Sequence, residues 1–522
     1  MTAGRGHRAG RTGRVAGLLV VAALALAVPA ALLPASGAVA ATPLPRAERL
    51  VVVSMPGVSW RDVDQASMPT LDRFASGAAV GDLSTRIGRR GAEPVTAYLT
   101  MGAGTRSVDP VIDRGVALDG DEAYGLLDAH DLLLRRLGVV PEGIAYLGLG
   151  AARDANESSP YGAEVGLLGD LLEAAGVSRA VIANADEVEG VENDPPEEGA
   201  YRREAALALM GSDGRVPVGA VGRDLLEREP TAPFGRRMDP ARVAEAFARV
   251  WPPAGERGVV LVEASDLSRA ASYAGRSTAT QGRAMRATAR RGADELLAEV
   301  LAQVDPARDA VLVLSPVAPR GQPDLGVVAV QAPGVTPGFL RSATTRRDGY
   351  VQLADVMPTI LELVGVPAPD DVEGRGFRVG AASERRPEQL VDAAEAAGFR
   401  DRMVPVVTIA FVAVLALLSA LASHEVRSRG SGSARWVLGL ARAGGWAVLG
   451  AAAGTYLAGL PDRPVTTVGP FLLWVGLGAV SVAGAAALAE RARPGAGTAV
   501  ALAALVVVVG VDVLVGAPLQ VN

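Results

Sequence analysis

The sequence has no cysteine, which excludes disulfides, zinc–thiolate sites and thiol nucleophiles together. It has no lysine either, so all 51 basic residues are arginine and lysine-based chemistry is closed to it. Histidine occurs only at His7, His130 and His424. No long basic block is present and the formal charge is -6, which argues against a nucleic-acid partner. Alanine, glycine, valine and leucine dominate instead, a bias typical of a GC-rich, actinobacteria-like genome. The positive mean hydropathy points to membrane segments beside one large domain.

Both ends of the chain carry such segments. The first 14 residues hold Arg5, Arg8, Arg11 and Arg14 and no acid, an apolar run follows from Val15 to Leu33, and then comes Ala38-Val39-Ala40. This is a signal-peptide layout with cleavage after Ala40; the run of about 19 residues is also long enough for an uncleaved anchor. At the other end lie four apolar stretches, Met403 to Ser423, Trp436 to Leu460, Val468 to Leu488 and Gly497 to Pro518, each near the roughly 20 residues of a spanning helix. Arg427, Arg429 and Arg435 lie between the first and second, and Arg491 and Arg493 between the third and fourth. Pro461 to Thr467 holds one arginine balanced by Asp462. Positive loops stay inside, so residues 42–402 are expected outside a bacterial cell membrane. The chain divides into a segment 1–41, an extracytoplasmic domain 42–400 and a membrane region 401–522 with four transmembrane helices. Asp512 falls inside the fourth stretch, either as a functional group or near enough to the interface to reach water. The stop at Asn522, directly after that stretch, leaves open a part of a multi-spanning transporter.

In the exported part, Leu50 to Ser54 is a continuous β-branched run of the kind buried on both faces, ended by Met55-Pro56-Gly57. Ser67 to Ala75 reads as an N-capped helix with proline in its first turn. Ala78 to Leu83, Gly143 to Leu149, Ala180 to Asn184, Gly258 to Glu263, Ala310 to Leu314 and Leu325 to Val330 read as strands. Tyr124 to Leu137, Val165 to Ala175, Pro240 to Trp251 and Gln281 to Val304 read as helices. Residues 187–200 are an acidic, Pro/Gly-rich surface loop in which a calcium site is the rival reading. The alternation predicts an α/β fold, an α/β/α layered domain with a mostly parallel sheet. Ligands of such sheets sit beyond the carboxyl ends of the strands, which here follow Ser54, Val262 and Leu314.

The segment from Gly349 to Phe377 is the most specific in the chain. A turn at Asp348-Gly349 leads to a helix from Leu353 to Val364, stopped by Gly365, then a Pro-rich loop and Glu373-Gly374-Arg375-Gly376-Phe377. Asp355, Pro358, Thr359, Leu363, Gly365, Pro367, Pro369, Gly374 and Arg375 resemble the closing segment of the alkaline-phosphatase-like superfamily. Pro69-Thr70-Leu71-Asp72 is similar to that superfamily's first helix, and Leu99 to Gly102 to the run beside its nucleophile. The resemblance covers roughly residues 48–378. It implies the layered fold and, in the superfamily's hydrolases, two metal ions held by aspartates and histidines that activate a nucleophile and screen phosphoryl charge.

The residues here depart from that ligand set. His130 is the one exported histidine. Met55-Pro56 stands where the first aspartate is usual, Ser315-Pro316-Val317 where an Asp-His pair is usual, Arg346, Arg347 and Asp348 where the last histidine is usual, and Ala92 or Glu93 at the nucleophile position. Asp266 alone matches a ligand position, with Glu263 beside it. Asp266 or Ser265 serves equally as a helix cap. Thr96, Thr100 and Thr105 offer hydroxyls as nucleophile or as local hydrogen-bond formers. Arg283, Arg286 and Arg290 share a helix face that binds an anion or is simply solvated. Gly102-Ala103-Gly104 allows close approach to a ligand or a tight turn. The first functional expectation is a pseudoenzyme domain with a degenerate metal site that binds an envelope glycan, lipid head group or protein. The alternative is an active envelope phosphatase or phosphotransferase, metal-free or with a single divalent metal on Asp266 and Glu263, carboxylates favouring manganese, magnesium or calcium over zinc.

Overall fold

A computed structural model describes residues 41–88, 90–110, 112–138, 142–188, 198–321, 324–427, 434–460 and 465–514. The expected signal or anchor segment, most of the acidic 187–200 loop with its calcium reading, and the last residues lie outside the described residues, as do Arg429, the Asp462 connection and the side chain of Arg435. The chain forms two compact units, divided between Val391 and Asp392.

The first unit is organised by one 11-stranded sheet. Its strands are β1 (Thr42–Pro43), β2 (Arg49–Ser54), β3 (Ala79–Ser84), β4 (Ser178–Ile182), β5 (Val218–Ala220), β6 (Gly258–Glu263), β7 (Ala310–Leu314), β8 (Leu325–Gln331), β9 (Gly338–Arg341), β10 (Tyr350–Gln352) and β11 (Arg378–Val379). They lie side by side in the order β1-β11-β9-β10-β3-β8-β7-β2-β6-β4-β5. All are parallel except β8 and β11, which run against their neighbours. At one edge the first and last strands pair, Thr42 opposite Val379 and Pro43 opposite Arg378.

The central strands carry continuous apolar runs because both faces are covered. Leu50 and Val52 of β2, with Val259 and Leu261 of β6 and Leu312 and Leu314 of β7, point into one core. The alternate residues Val51, Val53, Val260, Val262, Val311 and Val313 point into the other. On the first face lie α1 (Pro94–Ala103), α2 (Val356–Leu363) and the short helices Leu167–Ala174 and Glu204–Ala208. On the second lie α3 (Pro69–Ser76), α4 (Pro240–Val250), α5 (Asp266–Tyr273) and α6 (Ala279–Leu301). This is the expected α/β/α layering with a mostly parallel sheet.

Several local expectations are corrected. The helix placed from Tyr124 begins at Ala129: Ala123–Tyr124 and Leu127–Asp128 form a hairpin, and the Asp128 carboxylate accepts from the His130 and Asp131 amides. The strands do not end at Val330, since β9, β10 and β11 follow. The cap of α3 is not Ser67. Asp294, buried on α6, accepts from Thr70 N at 3.0 Å and Leu71 N at 2.9 Å, placing a negative charge at a helix N-terminus.

The closing segment is a structural lock. Asp355 is fully buried, and its carboxylate accepts from Gln352 N, Arg375 N and Thr344 Oγ1, each at 2.8–2.9 Å. Thr359 Oγ1 donates to Asp355 O at 2.6 Å and accepts from Phe377 N at 3.0 Å. A Cβ on Gly374 would lie 2.0 Å from Ala354 O, so the loop can pass only as glycine. Gly374 N reaches Gly104 O at 2.9 Å and joins this segment to the end of α1. Gly104 ends α1 at φ 62, and a Cβ there would meet Met357 Sδ at 2.3 Å. Gly104→Ala is expected to destabilise the domain by about 1–2 kcal/mol from the left-handed backbone alone, and more from the clash with Met357. A urea midpoint equal to that of the parent chain would refute it.

The second unit holds all but the first six residues of α7 (Arg386–Arg427), with α8 (Ala434–Leu457), α9 (Val468–Ala492) and α10 (Ala496–Leu514). All four are long and apolar enough to cross a membrane. α7 includes the expected first stretch and begins well before it. α8 and α9 approach closely because glycine lies between them: a Cβ on Gly450 would lie 2.4 Å from Gly478 O, and one on Gly454 2.6 Å from Trp474 O. Asp512 on α10 is fully buried.

Candidate functional site

The carboxyl ends of β2, β6, β7 and β4 are followed by Met55-Pro56-Gly57, Ala264-Ser265-Asp266, Ser315-Pro316-Val317 and Ala183-Asn184-Ala185-Asp186. The loops after β2 and β7 close on each other. Met55 N donates to Leu314 O at 2.8 Å, Gly57 N to Val317 O at 2.7 Å and Val58 N to Ser315 Oγ at 3.2 Å. Met55 is fully buried. Two of the positions where the family resemblance implies metal ligands, Met55-Pro56 and Ser315-Pro316, are thus packed loop interior.

Two polar clusters lie behind these loops. In the first, Ser54 Oγ and Tyr98 OH share a hydrogen bond of 2.7 Å, and Ser54 stands in register with Glu263 on the neighbouring strand. Glu263 accepts from Ser268 Oγ at 3.0 Å, while its Oε2 is buried with no hydrogen-bond partner among the described residues. Burial pushes the Glu263 carboxyl up to about 7, with Ser268 and then Arg269 pulling it down. Glu204 is pushed up to about 8 by burial, which outweighs the Arg202 guanidinium 3.6 Å away; Glu263 raises it further. Burial and then the charge of Glu263 carry the Tyr98 phenol well above its ordinary value.

The second cluster is a continuous chain, Glu122–Arg203–Asp186–Asn184–Arg269–Asp266. Arg203 is fully buried and binds Asp186 through both Nη2, at 2.9 Å, and Nε, at 3.2 Å; its Nη1 pairs with Glu122 and donates to Ala117 O at 3.1 Å. Asn184 Nδ2 donates to Asp186 at 3.2 Å and to Val221 O at 2.7 Å. Arg269, also buried, donates to Asn184 O and pairs with Asp266. Burial works against the charge of Arg203, but Asp186 and Glu122 together hold it above the ordinary guanidinium value. Glu122 is itself raised, because its burial outweighs the attraction of Arg203.

Asp266 is therefore placed in this chain and not at a helix cap. Its carboxylate accepts from Met238 N at 3.0 Å, and Ser265, the residue before α5, makes no side-chain cap bond because its Oγ accepts from Asn184 N at 3.1 Å. Glu263 faces the other cluster. Thr100 Oγ1 accepts from Ser107 N at 3.1 Å and Thr105 Oγ1 from Glu373 N at 3.3 Å. The Thr100 bond is local, the Thr105 bond ties the end of α1 to the closing segment 268 residues away, and Gly104 serves a tight turn. Thr96 is buried on α1. Arg290 pairs with Asp62, and Arg283 and Arg286 are exposed. His130 lies in the lobe carrying the 129–137 helix.

Among the described residues no group of three or more His, Cys, Asp or Glu is placed to hold a metal ion. The donor chemistry gives the reason: Asp266, Asp186 and Glu122 each bind a guanidinium already, and Asp186 also accepts from Arg202 N at 2.9 Å. The carboxylates do not fit a two-metal centre. A cavity of about 10 Å³ lined by Met238, Pro240, Ala264, Asp266 and Gly292 has room for about one water.

No family model and no curated protein matches the chain. Among solved structures it is similar to a lipoteichoic acid synthase from Listeria monocytogenes, with 11% identity over 64% of this chain and 78% of that one and a TM-score of 0.35. It is similar to a protein in the alkaline phosphatase superfamily from Vibrio parahaemolyticus, with 11% identity over 69% and 78% and a TM-score of 0.35. It is also similar to the alkaline phosphatase of the Antarctic bacterium TAB5, with 8% identity over 61% and 98% and a TM-score of 0.35.

Proposed function

We propose that residues 42–400 are an extracytoplasmic pseudoenzyme domain, held to a bacterial membrane by the four C-terminal helices, that binds or scaffolds an envelope glycan, lipid head group or protein and does not hydrolyse it. The observation that carries this reading is the chain Glu122–Arg203–Asp186–Asn184–Arg269–Asp266. Two fixed guanidinium charges stand among the carboxylates at the carboxyl ends of β4 and β6. A guanidinium neutralises acids as a metal ion does, but it has no open coordination position and activates no water. The outward orientation is supported by Arg427, Arg429, Arg435, Arg491 and Arg493 in alternate helix connections.

One observation favours the active alternative. Glu263 keeps an unpartnered oxygen and a carboxyl near neutrality beside the Ser54–Tyr98 pair, an arrangement able to hold and release a proton. The two readings separate on the full chain purified in detergent, by elemental analysis and turnover of phosphomonoester and phosphodiester substrates. The expected result is no stoichiometric divalent metal and no turnover. Near-stoichiometric manganese, magnesium or zinc, with turnover abolished in Asp266→Ala or Glu263→Gln, would establish the enzyme instead.

A further inference from the structure

The charge of this chain is unevenly distributed. Between Asp266 and Asp294 there is no acid in 27 residues, while six arginines stand at 269, 276, 283, 286, 290 and 291, in a chain with 57 acids and a formal charge of -6. Arg269 is consumed by the buried network. The others lie before or on the first half of α6, whose N-terminus is capped by Thr278 through Gln281 N.

A merely solvated helix face interleaves acids with its arginines at spacings of three and four. Here Arg283 and Arg286, then Arg286 and Arg290, stand at those spacings as like charges, which destabilises a helix. Of the three, Arg290 pairs with Asp62 from the loop after β2. Arg283 donates to Thr280 Oγ1 at 3.3 Å, an uncharged partner that fixes the guanidinium without neutralising it. Two further guanidiniums are fixed beside the start of the helix. Arg276 stacks 5.3 Å from the Phe234 ring, and Arg320, from the loop after β7, donates to Ala271 O at 3.3 Å.

We propose that this face binds a linear polyanion whose charges are phosphate groups in sequence along one chain. The row from Arg283 to Arg290 is drawn out along about 10 Å of the helix, with Arg290 at its far end already paired to Asp62 and Arg283 and Arg286 exposed. Guanidinium forks match phosphate geometry, and successive phosphates along one chain offer each guanidinium of the row its own anionic group, with two unshared oxygens to receive the fork. A bilayer surface fits less well. Interfacial helices bring large apolar side chains to the lipid, and among the described residues no large apolar side chain is exposed between Val218 and Val404. The inference goes beyond the reading of the sheet edge and stands whichever way the metal question falls.

The test is binding of fluorescently labelled long-chain inorganic polyphosphate to the full chain in neutral detergent, read by polarisation over a range of salt. Arg283→Glu/Arg286→Glu is expected to weaken binding tenfold or more and to flatten its salt dependence, with an unchanged melting profile. Arg135→Glu/Arg249→Glu, which changes the net charge equally at two other exposed positions, is expected to leave binding within twofold. If the first pair disturbs folding, Arg283→Gln/Arg286→Gln is read in its place. No binding by the parent chain, equal weakening by both pairs, or equal affinity for dextran sulfate would overturn the proposal. So would loss of binding to phosphatidylglycerol vesicles in Arg283→Glu/Arg286→Glu with polyphosphate binding retained, which would make the face a membrane contact.

Discussion

Arg203→Met is expected to destabilise the layered domain by about 3–5 kcal/mol, the range for removing one partner of a buried ion pair. The substitution keeps much of the side-chain volume and removes the charge between Asp186 and Glu122. Asp186 is itself buried and is left facing Asn184, whose amide is already shared with Val221 O. Glu122 loses the neighbour that opposes its desolvation. Arg203→Lys is expected to recover only part of the loss, since an ammonium cannot span both Asp186 oxygens as the guanidinium does. Adding Asp186→Asn and Glu122→Gln to Arg203→Met removes the orphaned charges and is expected to restore part of the stability. Urea unfolding of the four chains gives the comparison. An Arg203→Met chain within about 1 kcal/mol of the parent would mean that the network is not a buried charge system.

Raising the pH is expected to weaken the same domain through Glu204 and Glu263. Both folded values, about 8 and about 7, lie above the ordinary 4.5, so folding favours the protonated carboxyls. Their contribution is therefore complete below about pH 4.5 and is lost as the pH rises through 7 and then 8. One unit of displacement corresponds to about 1.4 kcal/mol, so Glu204 alone supplies an effect on the order of several kcal/mol across that window. The measurement is the urea midpoint from pH 5 to pH 9, with Glu204→Gln as comparison. The parent is expected to fall steadily on the alkaline side and the variant to fall less. A parent profile flat between pH 5 and pH 9 would mean that water reaches Glu204 and relieves its burial.

The residues that made the fold legible are those whose surroundings are local or uniform. Val51 to Val53 and Val259 to Val262 announce strands covered on both faces because each position meets the same apolar environment. The Asp355 to Arg375 segment stood out through its resemblance to a superfamily's closing segment, and the lock it forms is largely internal, since Gln352, Thr359 and Arg375 lie within the same short stretch. The four apolar stretches needed only length and composition. What stayed hidden depends on distance along the chain. Asp294 caps a helix 223 residues away, and no local pattern links it to Leu71. The short strands β9, β10 and β11 hold four residues at most, too few for a period to show. Asp266 looked like a lone ligand because its real partners are an arginine three residues on, a backbone amide in another strand and, through Asn184, an Arg203–Asp186 pair. The signal available was the pairing of charge with apolar sequence: Asp186 just past an apolar strand, and Arg203-Glu204 opening an otherwise apolar run.

The pairing of Thr42–Pro43 with Arg378–Val379 bears on how the domain is handled as a unit. The chain enters and leaves the sheet side by side, in antiparallel strands of two residues each. A load applied between residue 42 and residue 379 meets that small pair first, while the long central strands, zipped to neighbours on both sides, stay out of its path. Everything between the two strands forms a cassette with adjoining ends, completed by residues 380–391, which stay with the same unit and bring Leu390 into its core.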